Sequence, residues 1–283
     1  MPRLLTPEQY HHILPLYAPL DYNLVIRSVV EGNTPGWVFT ERVTQPGVAL
    51  IWNRQDALLL AGDNQDMAAL ASLRNLLHNH ILPEARARWI PELALFYTPG
   101  WEYMLPALLS GLSARPARRF SYRYPAGAPT DQLPPPPGFT LQPMDESLLA
   151  TDLDYLAQAR GWIDSFWHSP EDFQRGGFGY CAVSEQQRLV ASWCLTVYTA
   201  GRTTGPGPAC ELGVATAPDY RGLGLASLTT AACLRHALES GYEVHWHCWA
   251  DNQPSVAIAK KLGFHLAQEY FVYRLATGFQ PGE

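Results

Sequence analysis

Between Pro125 and Gly138 the chain reads PAGAPTDQLPPPPG, and six of these 14 residues are proline. Pro134 to Pro137 are consecutive. Proline fixes φ and has no amide donor, so this stretch is barred from helix and favours extended polyproline II. It reads as a semi-rigid spacer. It therefore predicts two domains, 1–125 and 139–283, joined by a linker over 126–138. A total of 283 residues suits two domains of ordinary size. No convincing short-period repeat is present.

Composition narrows the function classes. With 47% hydrophobic and 16% charged residues, the chain has enough apolar surface to offset chain entropy, which excludes a mainly disordered protein. The formal net charge is −6, so a broadly basic nucleic-acid face is absent. Residues 1–138 carry 11 Arg against 11 Asp and Glu, while the remainder carries 9 Lys and Arg against 15 Asp and Glu. The acidic second half suits a cationic small molecule better than a phosphate polymer. All five cysteines (Cys181, Cys194, Cys210, Cys233 and Cys248) lie in that half and none forms a CxxC. Reduced, packed thiols are the expectation. The N-terminal residues lack the apolar core of a signal peptide, and no run of about 18 apolar residues could cross a membrane. The expected compartment is the cytoplasm, with no membrane and no nucleic-acid partner. A homodimer is compatible with the chain, but nothing in it indicates one.

Periodicity sets out the elements. The first half opens with helical, Tyr-rich text. Strands follow at Trp37–Phe39, Val48–Trp52 and Ala57–Ala61, the last two joined by the turn NRQD. A helix is predicted from Gln65 to His80, a strand at Leu93–Tyr97, a helix at Trp101–Leu112 and a strand at Arg119–Tyr124. The second half gives strands at Phe139–Pro143, Tyr180–Ser184, Leu189–Thr199, Cys210–Thr216, Val244–Trp249, Phe264–Ala267 and Phe271–Leu275. Helical text occupies Ser147–Gly161 and the residues before Gly176. A longer helix spans Gly224–Ser240, with Gly241 placed to end it, and a short one runs from Pro254 to Gly263. The loop GRTTGPGP precedes the strand at Cys210. The fold class is α+β, a mixed α/β chain.

The most informative segment is Cys210–Ala226, CELGVATAPDYRGLGLA. A strand ends at Thr216, Pro218 breaks it, and Arg221-Gly222-Leu223-Gly224-Leu225-Ala226 opens a helix. The first amides of a helix lack intrahelical partners, and the helix dipole places positive charge there. Glycines allow close approach, and Arg221 adds a cation, so this turn can cradle a diphosphate. A Rossmann fingerprint would need Gly or Ala where Ser227 stands. A P-loop would need a Lys-Ser or Lys-Thr pair, and none occurs.

The stretch resembles the GNAT superfamily of N-acetyltransferases, whose hallmark is [QR]xxGx[GA]. Arg221, Gly224 and Ala226 match it, and Thr216-Ala217-Pro218 stands where the superfamily usually has Val-x-Pro. Asn252-Gln-Pro-Ser255-Val-Ala-Ile258-Ala259-Lys-Lys-Leu262-Gly263-Phe264 resembles a second element of that superfamily, and Asn252 lies 26 residues beyond Ala226. The resemblance covers about residues 139–283. It implies a GNAT fold in which the strands Glu211–Thr216 and His245–Trp249 splay apart. It implies acetyl-CoA as co-substrate, with pantetheine along Val214, Ala215 and Thr216. The diphosphate would lie on Arg221, Gly222, Leu223, Gly224, Leu225, Ala226 and Ser227, with Asn252 and Ser255 at the far side of the arm.

The implied activity is transfer of an acetyl group to a small amine by direct attack. An amine of pKa about 10.4 is mostly protonated near neutrality, so a general base is worth roughly 10²–10⁴ in rate. Glu211, a carboxylate in an apolar strand, is the first candidate base, with pairing to an Arg or exposure to solvent as the alternative. His247 is the second, with a packed or solvent-facing imidazole as its alternative. It shares a strand face with His245, while Cys248 points the other way, and no spaced cluster suggests a metal. Ala259 stands where the superfamily often places a tyrosine acid. A leaving thiol with a pKa of about 8.5 tolerates that loss. Trp162, Asp164, Phe166 and Trp167 are candidate acceptor-binding residues, with an aromatic core cluster as the alternative. A non-catalytic acyl-CoA-binding sensor is the other functional reading.

The first half follows an order similar to the second half of a GNAT unit but carries no [QR]xxGx[GA]. Asp63 and Asp66 at its helix start suit capping and repel a diphosphate. It reads either as a degenerate GNAT-like domain or as an unrelated α+β domain.

Overall fold

A computed structural model describes residues 2–130, 132–201 and 207–279. Most of the Gly/Pro loop before Cys210 (202–206) lies outside the described residues. The chain divides into two compact units, Met1–Arg118 with Tyr270–Glu283, and Arg119–Glu269.

The first unit begins with β1 (Arg3–Leu4) and a 3₁₀ run over Pro7–Leu20. The helical reading of this run yields to the tighter helix because Pro15 and Pro19 remove two amide donors from its interior. Next come α1 (Leu24–Val30), β2 (Trp37–Thr40), β3 (Val48–Trp52) and β4 (Ala57–Gly62). The NRQD turn forms as expected. Asn53 Oδ1 accepts from the amides of Gln55 and Ala57, each at 2.9 Å, and Arg54 takes a left-handed φ of 57°. The helix expected over 65–80 is α2 (Met67–Leu76), with Asp66 capping the Ala69 amide at 2.9 Å. It continues through a π turn at Leu77–Ile81 into α3 (Leu82–Ala87). After β5 (Glu92–Tyr97), the helix expected over 101–112 is only a 3₁₀ turn and α4 (Leu105–Leu108). Gly111, at φ 84°, turns the chain out of it.

In this unit β1 to β5 lie in sequence order, antiparallel except for the parallel pair β4–β5. That pair is zipped from Ala57↔Ala94 to Leu60↔Tyr97, and the Thr98 amide continues it to the Leu60 carbonyl at 3.0 Å. The buried runs VALIW and ALLLAG pack with α2 and α3 around Trp52 and Trp101.

Strand β6 (Ala114–Arg123) passes from the first unit into the second. The second unit then runs through β7 (Thr140–Pro143), α5 (Glu146–Leu149), α6 (Leu156–Phe166), α7 (Pro170–Gly176), β8 (Gly179–Ser184) and β9 (Leu189–Ala200). It continues with β10 (Ala209–Thr216), α8 (Leu225–Glu239), β11 (Glu243–Trp249), α9 (Gln253–Lys261) and the start of β12 (His265–Ala276). From Tyr270, β12 belongs to the first unit and pairs with β5, Tyr273 opposite Leu95.

The sheet order in the second unit is β6-β11-β10-β9-β8-β7. Arg119–Arg123 of β6 pair antiparallel with β11, Trp246 opposite Tyr122. Cys194, Cys210, Leu212, Cys233, Val244, Trp246, Val256 and Ala259 form the core on the face covered by α8 and α9. The Pro-rich segment lies against this unit. Ala128 packs on that core, Leu133 packs beside Leu228 of α8, and the Tyr124 hydroxyl donates to the Pro129 carbonyl at 2.7 Å. All five cysteines are free and buried, and burial pushes the Cys181, Cys210 and Cys233 thiols up. No helix among the described residues is long and apolar enough to cross a membrane.

Candidate active site

The two central parallel strands of the second unit pair over only three positions, Ala209↔Glu243, Cys210↔Val244 and Glu211↔His245. Beyond Glu211, β10 stays bonded to β9 as far as Thr216↔Ser192, while β11 stays bonded to β6 as far as Trp249↔Arg119. The strands therefore part. Their facing edges, Leu212–Thr216 and Trp246–Trp249, are left without each other as partners. An open strand edge inside a sheet is a place for an extended ligand to pair. Val214, Ala215 and Thr216 lie along it, each half-buried. The β10–β9 register shifts between Glu211 and Leu212, with Val197 the extra residue.

Past Thr216 the chain turns through Pro218–Tyr220 and enters α8. Arg221, Gly222, Leu223 and Gly224 are exposed. The first helical bond runs from the Leu228 amide to the Gly224 carbonyl at 3.0 Å. The amides from Gly222 to Ser227 have no protein acceptor among the described residues. Gly222 and Gly224 adopt left-handed φ values of 82° and 80°, and a Cβ built on either meets no atom within 4 Å. The backbone conformation, rather than crowding, requires glycine here. It leaves a row of bare amides at the positive end of a 15-residue helix. Arg221 Nε reaches back 3.4 Å to the Thr216 carbonyl at the end of β10. Unpartnered amides, glycines that keep the approach clear and a neighbouring guanidinium fit a diphosphate. Across the gap, Asn252 caps α9 through the Ser255 amide at 3.3 Å, and Ser255 Oγ accepts from Trp246 Nε1 at 3.1 Å. Ala259 is fully buried in the core beneath.

Cross-strand partners share a face. Glu211, 7% exposed, is opposite Tyr198 on one side and His245 on the other, so these three lie on the face away from α8. His247, two residues on from His245, shares that face. The two imidazole rings are parallel within 4°, with centroids 6.3 Å apart. His245 Nε2 lies 3.0 Å from Glu243 Oε1, and Arg123 Nε lies 3.1 Å from the same oxygen. His247 Nε2 lies 3.0 Å from Ser121 Oγ and 3.4 Å from Arg123 Nη1. Burial, then the Arg119 and Arg123 guanidiniums and His245, hold the His247 imidazole well below the ordinary histidine range. The Glu243 carboxyl is held down by its hydrogen bond to His245 and by Arg123.

Helix α6 covers the same face. Its Trp162 ring sits where a side chain on Gly213 would be, 2.9 Å from the Cβ position, so Gly213 permits the close approach. Trp162 stands edge-on to Phe166 at 6.1 Å and to Trp193 at 6.2 Å, and Phe166 stands edge-on to Tyr198 at 5.5 Å. Trp162 and Phe166 thus join the face that carries Glu211. Trp167 does not. It is buried against Phe173 and donates its indole N–H to the Thr196 carbonyl at 2.9 Å. Asp164 is exposed. Ser121 and Arg123 were missed from the sequence. The signal for them is the alternation of Arg119, Ser121 and Arg123 with Phe120, Tyr122 and Tyr124. Among the described residues no cluster of three or more His, Cys, Asp or Glu could hold a metal ion.

A family model described as GNAT acetyltransferase matches residues 15–273. An uncharacterized N-acetyltransferase, YdfB, of Bacillus subtilis (strain 168) is 25% identical over 275 residues, covering 95% of this chain and 97% of the relative. Among solved structures, a GCN5-related N-acetyltransferase-like protein from Streptococcus suis 89/1591 superposes with a TM-score of 0.67 at 21% identity. It covers 95% of this chain and 98% of its own. A tandem GNAT protein from the clavulanic acid biosynthesis pathway gives 0.59 at 14% identity over 99% of both chains. Both structures are alike in fold.

Proposed function

Because this chain belongs to the GNAT acetyltransferase family, we propose that it transfers an acetyl group from acetyl-CoA to a small amine by direct attack where β10 and β11 part. The observation that carries this reading is the three-pair zipper that opens beside the unpartnered amides of Gly222–Ser227. Those amides and Arg221 hold the diphosphate, and the free edge of Val214–Thr216 holds the pantetheine arm. Asn252 and Ser255 stand at the far side of the gap. Acetyl-CoA, when bound, supplies an activated acetyl thioester.

The chain's own residues do the rest. Glu211, on the face away from α8, takes one proton from the bound ammonium, the freed nitrogen lone pair bonds to the acetyl carbon, and the second proton of the nitrogen passes to the departing sulfur. The C–S bond breaks and the thiolate leaves without a protein acid, since Ala259 carries no proton to give. Trp162 and Phe166 wall the acceptor side, where ring faces favour a cation. The acidic balance of the second half supports the same class of acceptor. The first unit reads as a degenerate GNAT-like partner. Its central parallel pair is zipped through Leu60↔Tyr97, and Asp66 occupies the cap where a diphosphate would lie. The five free, buried thiols suit a reducing cytoplasm.

The test is thiol release from acetyl-CoA against polyamines, amino acids, aminoglycosides and peptides. Turnover on a small amine is expected. Binding of acetyl-CoA with no thiol release on any amine would favour a sensor instead. For the diphosphate cradle, Gly224→Val is expected to weaken acetyl-CoA binding at least tenfold by calorimetry, about 1.4 kcal/mol. A β-branched residue is strained at φ 80°, and its side chain enters the open space over the amides. Unchanged affinity would remove the diphosphate from this turn.

A further inference from the structure

The two histidines of β11 sit in opposite hydrogen-bonding environments, and Arg123 creates the difference. His245 Nε2 faces the Glu243 carboxylate at 3.0 Å. A carboxylate only accepts, so His245 carries a proton on Nε2. His247 Nε2 faces two donors. One is Arg123 Nη1 at 3.4 Å, which can only donate. The other is Ser121 Oγ at 3.0 Å. Ser121 Oγ accepts from Arg123 Nη1 at 2.7 Å, and its own hydrogen can turn to His247. A proton on His247 Nε2 would point at a guanidinium that can only donate. The lone pair therefore sits on Nε2 and the proton on Nδ1.

We propose that Arg123 and Ser121 are positioning residues that lock His247 as a neutral imidazole protonated on Nδ1, which withdraws it as a proton acceptor in acetyl transfer. The role in transfer rests on the acetyl-transfer reading above; the locked tautomer rests on the hydrogen bonds alone. Base catalysis needs a free lone pair within reach of the acceptor's proton. The lone pair of His247 is engaged by Ser121, so proton acceptance falls to Glu211. Arg123 holds the arrangement from both ends: its Nε bonds Glu243 and its Nη1 bonds Ser121. The charged and titratable groups that act on His247 are Arg119 and Arg123 from β6 and His245 from β11, with Glu243 and Glu211 lying beside His245. The nearest charges are positive, and they oppose protonation of the ring. Both positioning residues come from a strand that precedes the Pro-rich segment.

The experiment is nitrogen NMR on the full chain labelled with ¹⁵N-histidine, without acetyl-CoA or acceptor, with His247 assigned by its loss in His247→Gln. Nδ1 protonated and Nε2 bare, unchanged from about pH 8 to about pH 6, is the expected result. A protonated Nε2, or an imidazolium forming in that range, would overturn the proposal. Ser121→Ala removes one donor and is expected to give a mixture of tautomers. Arg123→Met removes one of the cations that oppose protonation, so His247 should begin to titrate at a higher pH than in the wild type while burial and Arg119 still hold it down, and Arg123→Lys should return it to the wild-type behaviour. An unchanged His247 signal in both Ser121→Ala and Arg123→Met would also overturn it. Because the spectra need no substrate, failure to find an amine acceptor would defeat the acetyl-transfer reading and leave the tautomer assignment standing.

Discussion

A fragment consisting of residues 139–283 is expected to lose its cooperative unfolding transition, whereas one beginning at Ala114 keeps it. The shorter fragment starts after the Pro-rich segment and lacks β6. In the second unit, β6 closes one edge of β11 over five pairs, from His245↔Arg123 to Trp249↔Arg119. It also brings Tyr122 and Tyr124, 2% and 7% exposed, into the core that holds Trp246 and Phe264. Removing a buried large aromatic typically costs about 3–5 kcal/mol. Two together cost about 6–10 kcal/mol, comparable with the whole stability of an ordinary domain at about 5–15 kcal/mol. The truncation also leaves β11 as a bare edge beside apolar Trp246, which invites aggregation. Thermal melts followed by circular dichroism on both fragments check this. A sharp transition at the same temperature in both would mean that β6 contributes nothing essential to the second unit.

The strand at Arg119–Tyr124 is legible in the sequence, but the unit it joins is not, and the reason is physical. Proline content reports local stiffness, and the run at Pro134–Pro137 was legible for that reason. Which sheet a strand joins is decided by pairing with residues far along the chain, here His245–Trp249, more than 120 positions on. Composition carries no trace of that choice. Most strands of the second unit were legible because their apolar runs are long and their turns carry Gly, Pro or EQQR, but the two expected at Phe264–Ala267 and Phe271–Leu275 are the single strand β12. Helix α8 was legible because Gly224 and Gly241 bracket it, both left-handed. The parting of β10 and β11 was readable only through the resemblance of Arg221–Ala226 and Asn252–Phe264 to a known family. Nothing in CELGVAT says where its neighbour leaves it. Trp167 shows the opposite difficulty. An aromatic run such as Trp162–Trp167 marks a ring-lined helix face, but the helix ends at Phe166 and the backbone of Trp167 is already extended, at φ −119° and ψ 157°. Trp162 and Phe166, four apart, share the face of Glu211, while Trp167 turns into the core.

Glu211→Gln is expected to lower kcat by about 10²–10⁴ while leaving the affinity for acetyl-CoA nearly unchanged. The substitution keeps the size of the side chain, exchanges one acceptor oxygen for an amide donor and removes its capacity to take a proton. Glu211 stands at the last pair before the strands part, opposite His245 and Tyr198. Its loss therefore leaves the diphosphate cradle untouched. Melting curves recorded beside the kinetics separate a catalytic defect from a folding one. His247→Gln, removing a donor and not the base, is expected to cost far less, within about tenfold. The pH dependence discriminates further. A general base matters most when the acceptor is mostly ammonium, below a pKa of about 10.4. Each unit of rising pH supplies about tenfold more free amine, so the deficit of Glu211→Gln should narrow steadily as the pH is raised. A deficit that is constant across pH would mean that Glu211 positions the acceptor and does not accept its proton. Unchanged turnover at every pH would remove Glu211 from the reaction and send the search for a base to the water in the gap.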